Sequence, residues 1–231
     1  MVILKLPLAL TSTLFVYRPF DKGSDIFLPC RRLLLIPQGA MLIRLLLLLC
    51  LSPLSWAATV YPSNEPGTLG EVAAISRGVQ TYPTLTEQLQ QKLPDYGWQV
   101  LDLSTLNEEE QQMLNGDSIW FLQGDSVTQV KDLLEQDRIS MPKAIILIGG
   151  YQRNGQSLAE FITQFSCPVL EVVSDWDHPL ARADRLLRRQ QAKRANKNNY
   201  RQVKHYLSYQ SRSGNEQLLQ LIHGWLTREL R

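Results

Sequence analysis

The chain is expected to fold as an α/β domain of three layers, αβα, with a mostly parallel, doubly wound sheet of about six strands. Three observations carry that expectation. From residue 70 to residue 231, short apolar runs alternate with segments of helical period, the pattern of repeated strand-to-helix crossovers. The runs SIWFLQ at 118–123, KAIILI at 143–148 and VLEVV at 169–173 are apolar almost throughout, as strands covered on both faces must be. The last of them breaks at once into Ser174, Asp175, Trp176, Asp177 and His178. In sheets of this kind ligands meet the carboxyl ends of the strands, because helices cover both faces.

Residues 59–69, with Pro62, Pro66 and Gly67, read as an extended arm leading into the domain. EVAAIS at 71–76 is the first strand. Thr84 and Glu87 have the spacing of a capping box, and Leu85, Leu89 and Leu93 give the helix after them one apolar stripe. Pro94 and the Asp95-Tyr96-Gly97 turn stop it before WQVLDL at 98–103, the second strand. Asn107 then caps a short helix whose first turn holds Glu108, Glu109 and Glu110, favourable against the positive end of the dipole. The third strand, 118–123, enters Gly124-Asp125-Ser126-Val127-Thr128 and a helix faced by Val127, Val130, Leu133 and Leu134. Residues 143–148 form the fourth strand. Ser157 and Glu160 repeat the capping box, with Leu158, Phe161, Ile162 and Phe165 facing inward. The fifth strand, 169–173, leads to Pro179 at the start of a long basic helix with a stripe of Leu180, Ala183 and Leu187. YRQVKHYL at 200–207 is the sixth, and Ser213 to Glu216 caps a final helix striped by Leu218, Leu221, Ile222 and Trp225.

The formal charge of +2 conceals a segregation. The first 57 residues carry six basic and two acidic groups, and the remainder 18 basic and 20 acidic. Residues 182–204 alone hold nine basic residues against Asp184. Such a run reads first as a solvated helix face balanced by the acidic body. Its second reading is a patch for an anionic envelope component through Arg182, Arg185, Arg188, Arg189, Lys193 and Arg194, with Tyr200, Tyr206 and Tyr209 beside it. The sequence contains no phosphate-cradling glycine loop, no nucleic-acid module and no cofactor motif. Asp175, Asp177 and His178 lie together, but no second cluster with ligand spacing accompanies them, so no metal site is expected.

Residues 41–58 have the three parts of a secretory signal: Arg44, the apolar core 45–51, and Ser55-Trp56-Ala57 before a small residue. Met41 is therefore the expected initiator and residues 1–40 a non-native upstream extension. The mature form is expected to be exported, to a periplasm. The alternative is a membrane anchor at 42–56, although the apolar run is shorter than the roughly 17 to 25 residues a span needs. Cys30 and Cys50 fall in the removed part. Cys167, left alone, makes no internal disulfide and reads as a small core residue.

Gly124 to Thr128 lies at a strand-to-helix turn, the context of a nucleophile elbow, with Ser126 as the hydroxyl and the helix N-terminus as support for an oxyanion. Thr128 stands where a second glycine is needed. The plainer reading is that Asp125 or Ser126 caps the helix.

GWQVLDL at 97–103, PVLEVVSDWDHPL at 168–180, KRANKNNYRQV at 193–203 and GWL at 224–226 resemble an exported bacterial family, domain of unknown function 3530. From about residue 70 to 226 the chain is similar to an α/β-hydrolase fold lacking most of its N-terminal strands. The resemblance implies a triad in which Ser126 matches the nucleophile and Asp177 the acid, with Asp175 as a second candidate; capping of the following helix is the other reading of Asp177. The triad histidine belongs in the loop after the last strand, here 208–215, which contains none. His178 adjoins the acid, and His205 groups with Val203 and Leu207 on one strand face. Without a base a serine hydroxyl is a poor nucleophile. The expected function is a binding or interaction module of the envelope on a hydrolase-like fold, non-catalytic or of unproven activity. The alternative is a serine esterase using Ser126 and Asp177 with an unconventional base. N-terminal sequencing of the exported protein should return Ala58 or Thr59; recovery of a form retaining residues 2–16 would refute the Met41 start.

Overall fold

Alternation along the strands sorts the apolar side chains into two sets, because successive residues of a strand point to opposite faces. Val72, Ala74, Ile119, Phe121, Ile146, Ile148, Leu170 and Val172 build one core. Ala73, Ile75, Trp120, Leu122, Ile145, Leu147 and Val169 build the other. The computed structural model describes residues 58–75, 82–103 and 106–230. The expected upstream extension, and the signal or anchor segment except for Ala58, lie outside the described residues.

Among the described residues the sheet has seven strands: β1 (Thr59–Tyr61), β2 (Gly70–Ile75), β3 (Trp98–Asp102), β4 (Ser118–Gln123), β5 (Ala144–Ile148), β6 (Val169–Ser174) and β7 (Tyr200–His205). Their order is β1-β3-β2-β4-β5-β6-β7. Only β1 runs antiparallel, paired with β3; the other neighbours are parallel. Helices α1 (Pro83–Lys92) and α6 (Arg212–Glu229) cover the first core through Leu85, Leu89, Leu219 and Ile222. Helices α3 (Ser126–Glu135) and α4 (Ala159–Gln164) cover the second through Val127, Val130, Phe161 and Ile162. A short helix α2 (Glu108–Met113) links β3 to β4, and α5 (Pro179–Arg194) links β6 to β7. The three-layer, mostly parallel α/β-hydrolase-like arrangement is the one expected, with seven strands instead of about six. The added strand is β1, hidden in the supposed arm because three residues bounded by Pro62 carry no legible period.

Several caps fall elsewhere than the sequence suggests. The Asn107 side chain accepts from Glu110 N at 2.8 Å as expected. Thr84, however, lies inside α1, since Pro83 supplies the first helical residue and Tyr82 precedes it without a side-chain cap. Ser211, not Ser213, caps α6 by accepting from Gly214 N. β7 ends at His205, leaving Leu207 exposed.

Helix α5 corrects the reading of its own stripe. Leu180 and Leu187 are exposed, while Ala181, Arg188 and Ala192 are buried. The inward face carries charge because β6 presents it with Glu171, fully buried in the sheet. Arg188 Nε lies 2.5 Å from Glu171 Oε1, outside hydrogen-bond geometry, so the contact is an ion pair without a directed bond. The guanidinium also reaches Asp184 at 3.3 Å and donates to Ala181 O at 2.9 Å. On the other side of Glu171, Tyr200 Oη and Gln202 Nε2 of β7 donate to Oε2. Removing one partner of a buried pair leaves an uncompensated charge, costing about 3 to 5 kcal/mol, whereas replacing both with apolar groups is often neutral. Arg188→Met should therefore lower stability by that amount in denaturant titration, and Glu171→Leu with Arg188→Met should recover most of it; additive losses would mean that the two charges are not coupled.

Candidate functional site at the carboxyl ends of the strands

The turn between β4 and α3 is built around Gly124. With φ +55° it is in the left-handed region, which favours glycine, and it is the one residue of the turn that is. Its N–H donates to Ile148 O at 3.0 Å and its carbonyl accepts from Tyr151 N at 3.1 Å, joining the turn to β5 and to the segment after it. Gln123 is fully buried: its Oε1 accepts from Tyr82 N at 3.0 Å and its Nε2 donates to Thr86 Oγ1 at 2.7 Å. Ser126, also fully buried, accepts at Oγ from Gln123 N at 3.0 Å. The hydroxyl thus closes the turn from inside. Asp125 has no side-chain cap bond to α3; its buried carboxylate pairs with Arg153, leaving Oδ1 without a hydrogen-bond partner. Neither Asp125 nor Ser126 caps the helix with its side chain.

The turn after β6 holds Asp177, 4 % exposed. Its Oδ2 accepts from Ser174 N at 2.5 Å, and its Oδ1 accepts from Tyr82 Oη at 3.3 Å. The carboxylate bonds backward into its own turn, and His178, not Asp177, caps α5, with Nδ1 accepting from Leu180 N at 3.3 Å. Gly149, φ +53°, makes the approach possible: a Cβ there would sit 2.5 Å from Asp177 Oδ1 and 3.0 Å from Tyr82 Oη. Tyr209, 1 % exposed, packs on Tyr82 with ring centroids 4.3 Å apart. Its hydroxyl lies beside the Asp177 carboxylate, whose charge adds to burial in pushing the phenol up, without closing a hydrogen bond of normal geometry. Burial pushes the Asp177 carboxyl up to about 6; the Ser174 amide and the two phenols pull the other way, and the Glu171 charge reinforces the rise. Burial raises Tyr82 as well, with the Asp177 charge second.

The remaining candidates surround this cluster. His205, paired with Ser174 in register, stacks on Tyr209 at 5.3 Å; burial lowers its pKa and its buried Nε2 makes no hydrogen bond. His178 stacks on Tyr151 at 4.2 Å, which bridges the acid's turn to the Gly124 turn. Asp175 is exposed, and Lys204 at 2.7 Å with Arg185 at 3.3 Å holds its carboxyl below the usual range. The structure therefore gathers Asp177, Tyr82, Tyr209 and His205 and keeps Ser126 in bonds of its own. Among the described residues no hydrogen bond or ion pair joins Ser126 to Asp177, His178 or His205. Tyr82 escaped the sequence reading and Tyr209 entered it only as a neighbour of the basic patch, although the loop expected to carry an imidazole to the acid is the one that supplies Tyr209.

The basic patch is also redrawn. Arg188 is buried and paired, and Arg185 is tied to Asp175. Tyr200 and Tyr209 are occupied inside, and only Tyr206 of the three tyrosines is exposed. Cys167 is half-buried beside the second core, with burial pushing its thiol up to about 11. Among the described residues no helix is long and apolar enough to cross a membrane.

Solved structures similar to this one are α/β-hydrolase-like esterases. The esterase domain of a Rhodothermus marinus protein is 12% identical, covering 75% of this chain and 93% of its own, with a TM-score of 0.57. Carboxyl esterase 2 of the mycorrhizal fungus Tuber melanosporum is 12% identical, covering 75% and 81%, at 0.53. Acyl-protein thioesterase 2 of Zea mays is 13% identical, covering 76% and 99%, at 0.50. At such identities the likeness is one of fold. No curated protein matches the sequence. The stretch that supplies the Gly124 turn, Asp177 and Tyr209, residues 117–228, matches the family described as protein of unknown function, DUF3530.

Proposed function

We propose that the protein is an exported, non-catalytic member of the hydrolase-like fold that serves the cell envelope as a binding module for an anionic component. The observation that carries the first half is the Gly124 turn. An elbow presents its nucleophile from the strained apex of the strand-to-helix turn, and here that apex is a glycine. Ser126, two residues on, is out of solvent with its hydroxyl engaged by Gln123 N. A triad further needs an imidazole between hydroxyl and acid, oriented by the acid. Asp177 receives a backbone amide and a phenol, with a second phenol alongside, and no imidazole. The competing reading, a serine hydrolase with Ser126, Asp177 and an unconventional base, requires the hydroxyl to leave Gln123 N and rotate out of the core. The envelope half rests on the signal-like segment 41–58 and on the cations that remain exposed on α5.

Two measurements follow. A fluorophosphonate probe should leave the folded protein unlabelled, and activated esters should turn over within about tenfold of a folded control without a site. Stoichiometric labelling lost in Ser126→Ala would establish the hydrolase instead. The second concerns Asp177. Its folded value of about 6 exceeds the ordinary 3.8, so the fold favours the protonated form. That contribution is complete below pH 3.8 and is lost as pH rises through about 6. Asp177→Asn keeps an acceptor for Ser174 N, can donate to a phenol oxygen, and cannot ionise. It should stabilise the protein at pH 8 by the order of 2 kcal/mol and leave it nearly unchanged at pH 4. Thermal melts at the two pH values check this; destabilisation at pH 8 would mean that the ionised carboxylate is what the site is built to hold.

A further inference from the structure

Two of the cations on α5, Arg189 and Lys193, belong to a concavity. Beyond the helix, Asn196 adopts the left-handed region at φ +52° and Lys197 N bonds back to Ala192 O at 2.9 Å, turning the chain into β7. The turn brings Lys197, Asn198 and Arg201 around the same cavity as Arg189 and Lys193, with a volume of about 600 Å³. That is within the roughly 300 to 1,000 Å³ typical of small-molecule sites. Among the described residues no carboxylate lines it. Arg189, Lys193 and Arg201 form no ion pair among the described residues. Lys197 is already engaged by the carbonyls of Phe165 and Cys167, so it adds charge to the cavity with donors partly committed. Gln202 and Tyr200, which also line the cavity, are bonded to Glu171, which Arg188 neutralises.

We infer that this cleft between the end of α5 and the start of β7 binds a phosphate-bearing anion. Four like charges around one hollow repel one another, and a multiply charged anion relieves that repulsion while the guanidiniums offer planar paired donors matched to phosphate oxygens. The Asn196 and Asn198 carboxamides add neutral donors for ester or hydroxyl oxygens. The cleft opens at the amino end of β7, whereas Asp177 and His205 mark the carboxyl ends of β6 and β7, so it is separate from the hydrolase-like edge. The assignment rests on the reading of the protein as an anion-binding envelope module and names where it binds and what. The phosphate belongs either to a lipid headgroup or to a soluble phosphate ester.

The test compares two charge-matched double variants of the full chain, Arg189→Gln with Lys193→Gln in the cleft and Arg182→Gln with Arg194→Gln on the exposed helix surface. Pyrophosphate is titrated calorimetrically at low salt, and sedimentation is followed with phosphatidylcholine vesicles with and without phosphatidylglycerol. The cleft pair should weaken pyrophosphate binding about tenfold or more and the surface pair less than about twofold. Loss of phosphatidylglycerol-vesicle binding in the cleft pair as well assigns the phosphate to a headgroup; an effect confined to pyrophosphate assigns it to a soluble ester. Equal losses in both pairs, or no pyrophosphate binding by the unaltered protein, overturn the cleft. Retained binding to anionic vesicles in that event keeps the envelope-module reading, and absence of both removes it too.

Discussion

A carboxylate buried between parallel strands, one strand in from the edge of the sheet, organises much of this domain. Glu171 is in β6, surrounded by strands on both sides, and an unpaired charge there would be prohibitive. Its compensation comes from Arg188, which fixes the rotation of α5 about its axis and excludes the leucines from the buried face. Asp184, one helical turn earlier, accepts from Ser157 Oγ and Leu158 N and so ties α5 to the start of α4. Tyr200 and Gln202 bring β7 into the same network. One buried charge thereby sets the relation of two helices and the last strand.

The other end of β6 shows the same chemistry turned to a different use. Asp177, which the sequence resemblance matched to the acid of a hydrolase-like fold, is held by the Ser174 amide and the Tyr82 phenol, and among the described residues no hydrogen bond joins it to Ser126. Gly149 has no side chain because the carboxylate and the Tyr82 hydroxyl occupy that space. Tyr82 and Tyr209 pack on each other with their rings tilted by 45° and face the acid from the segments that lead into α1 and α6. The arrangement pins the loops at the strand ends together.

The sequence disclosed what depends on local period and missed what depends on pairing across the fold. The runs at β4, β5 and β6 were legible because burial on both faces leaves few polar residues in them. The strand Thr59–Tyr61 was not, since it owes its existence to the register with β3. The stripe Leu180, Ala183 and Leu187 has perfect helical spacing and faces outward, because the requirement of Glu171 outweighed it. Asp177 could be placed from its position after a strand. Tyr209 could not: a phenol in a loop gives no sign that a buried carboxylate awaits it, and Ser126 gives no sign that its hydroxyl is taken by a main-chain amide three residues earlier.

The two ends of the sheet differ in how they keep other chains away. An open strand edge offers unpaired amides and carbonyls on which a foreign strand can add. On the β1 side the invitation is brief, three residues long. On the β7 side it is six residues long, and the exposed side chains there are Arg201 and Lys204. Like charges brought into register by an identical incoming strand would face one another across the new seam. Arg201 lies on this edge and also lines the hollow beside the end of α5, so the charge that would meet an anion there also makes the strand a poor template for its own aggregation, and neutralising that one residue would weaken both.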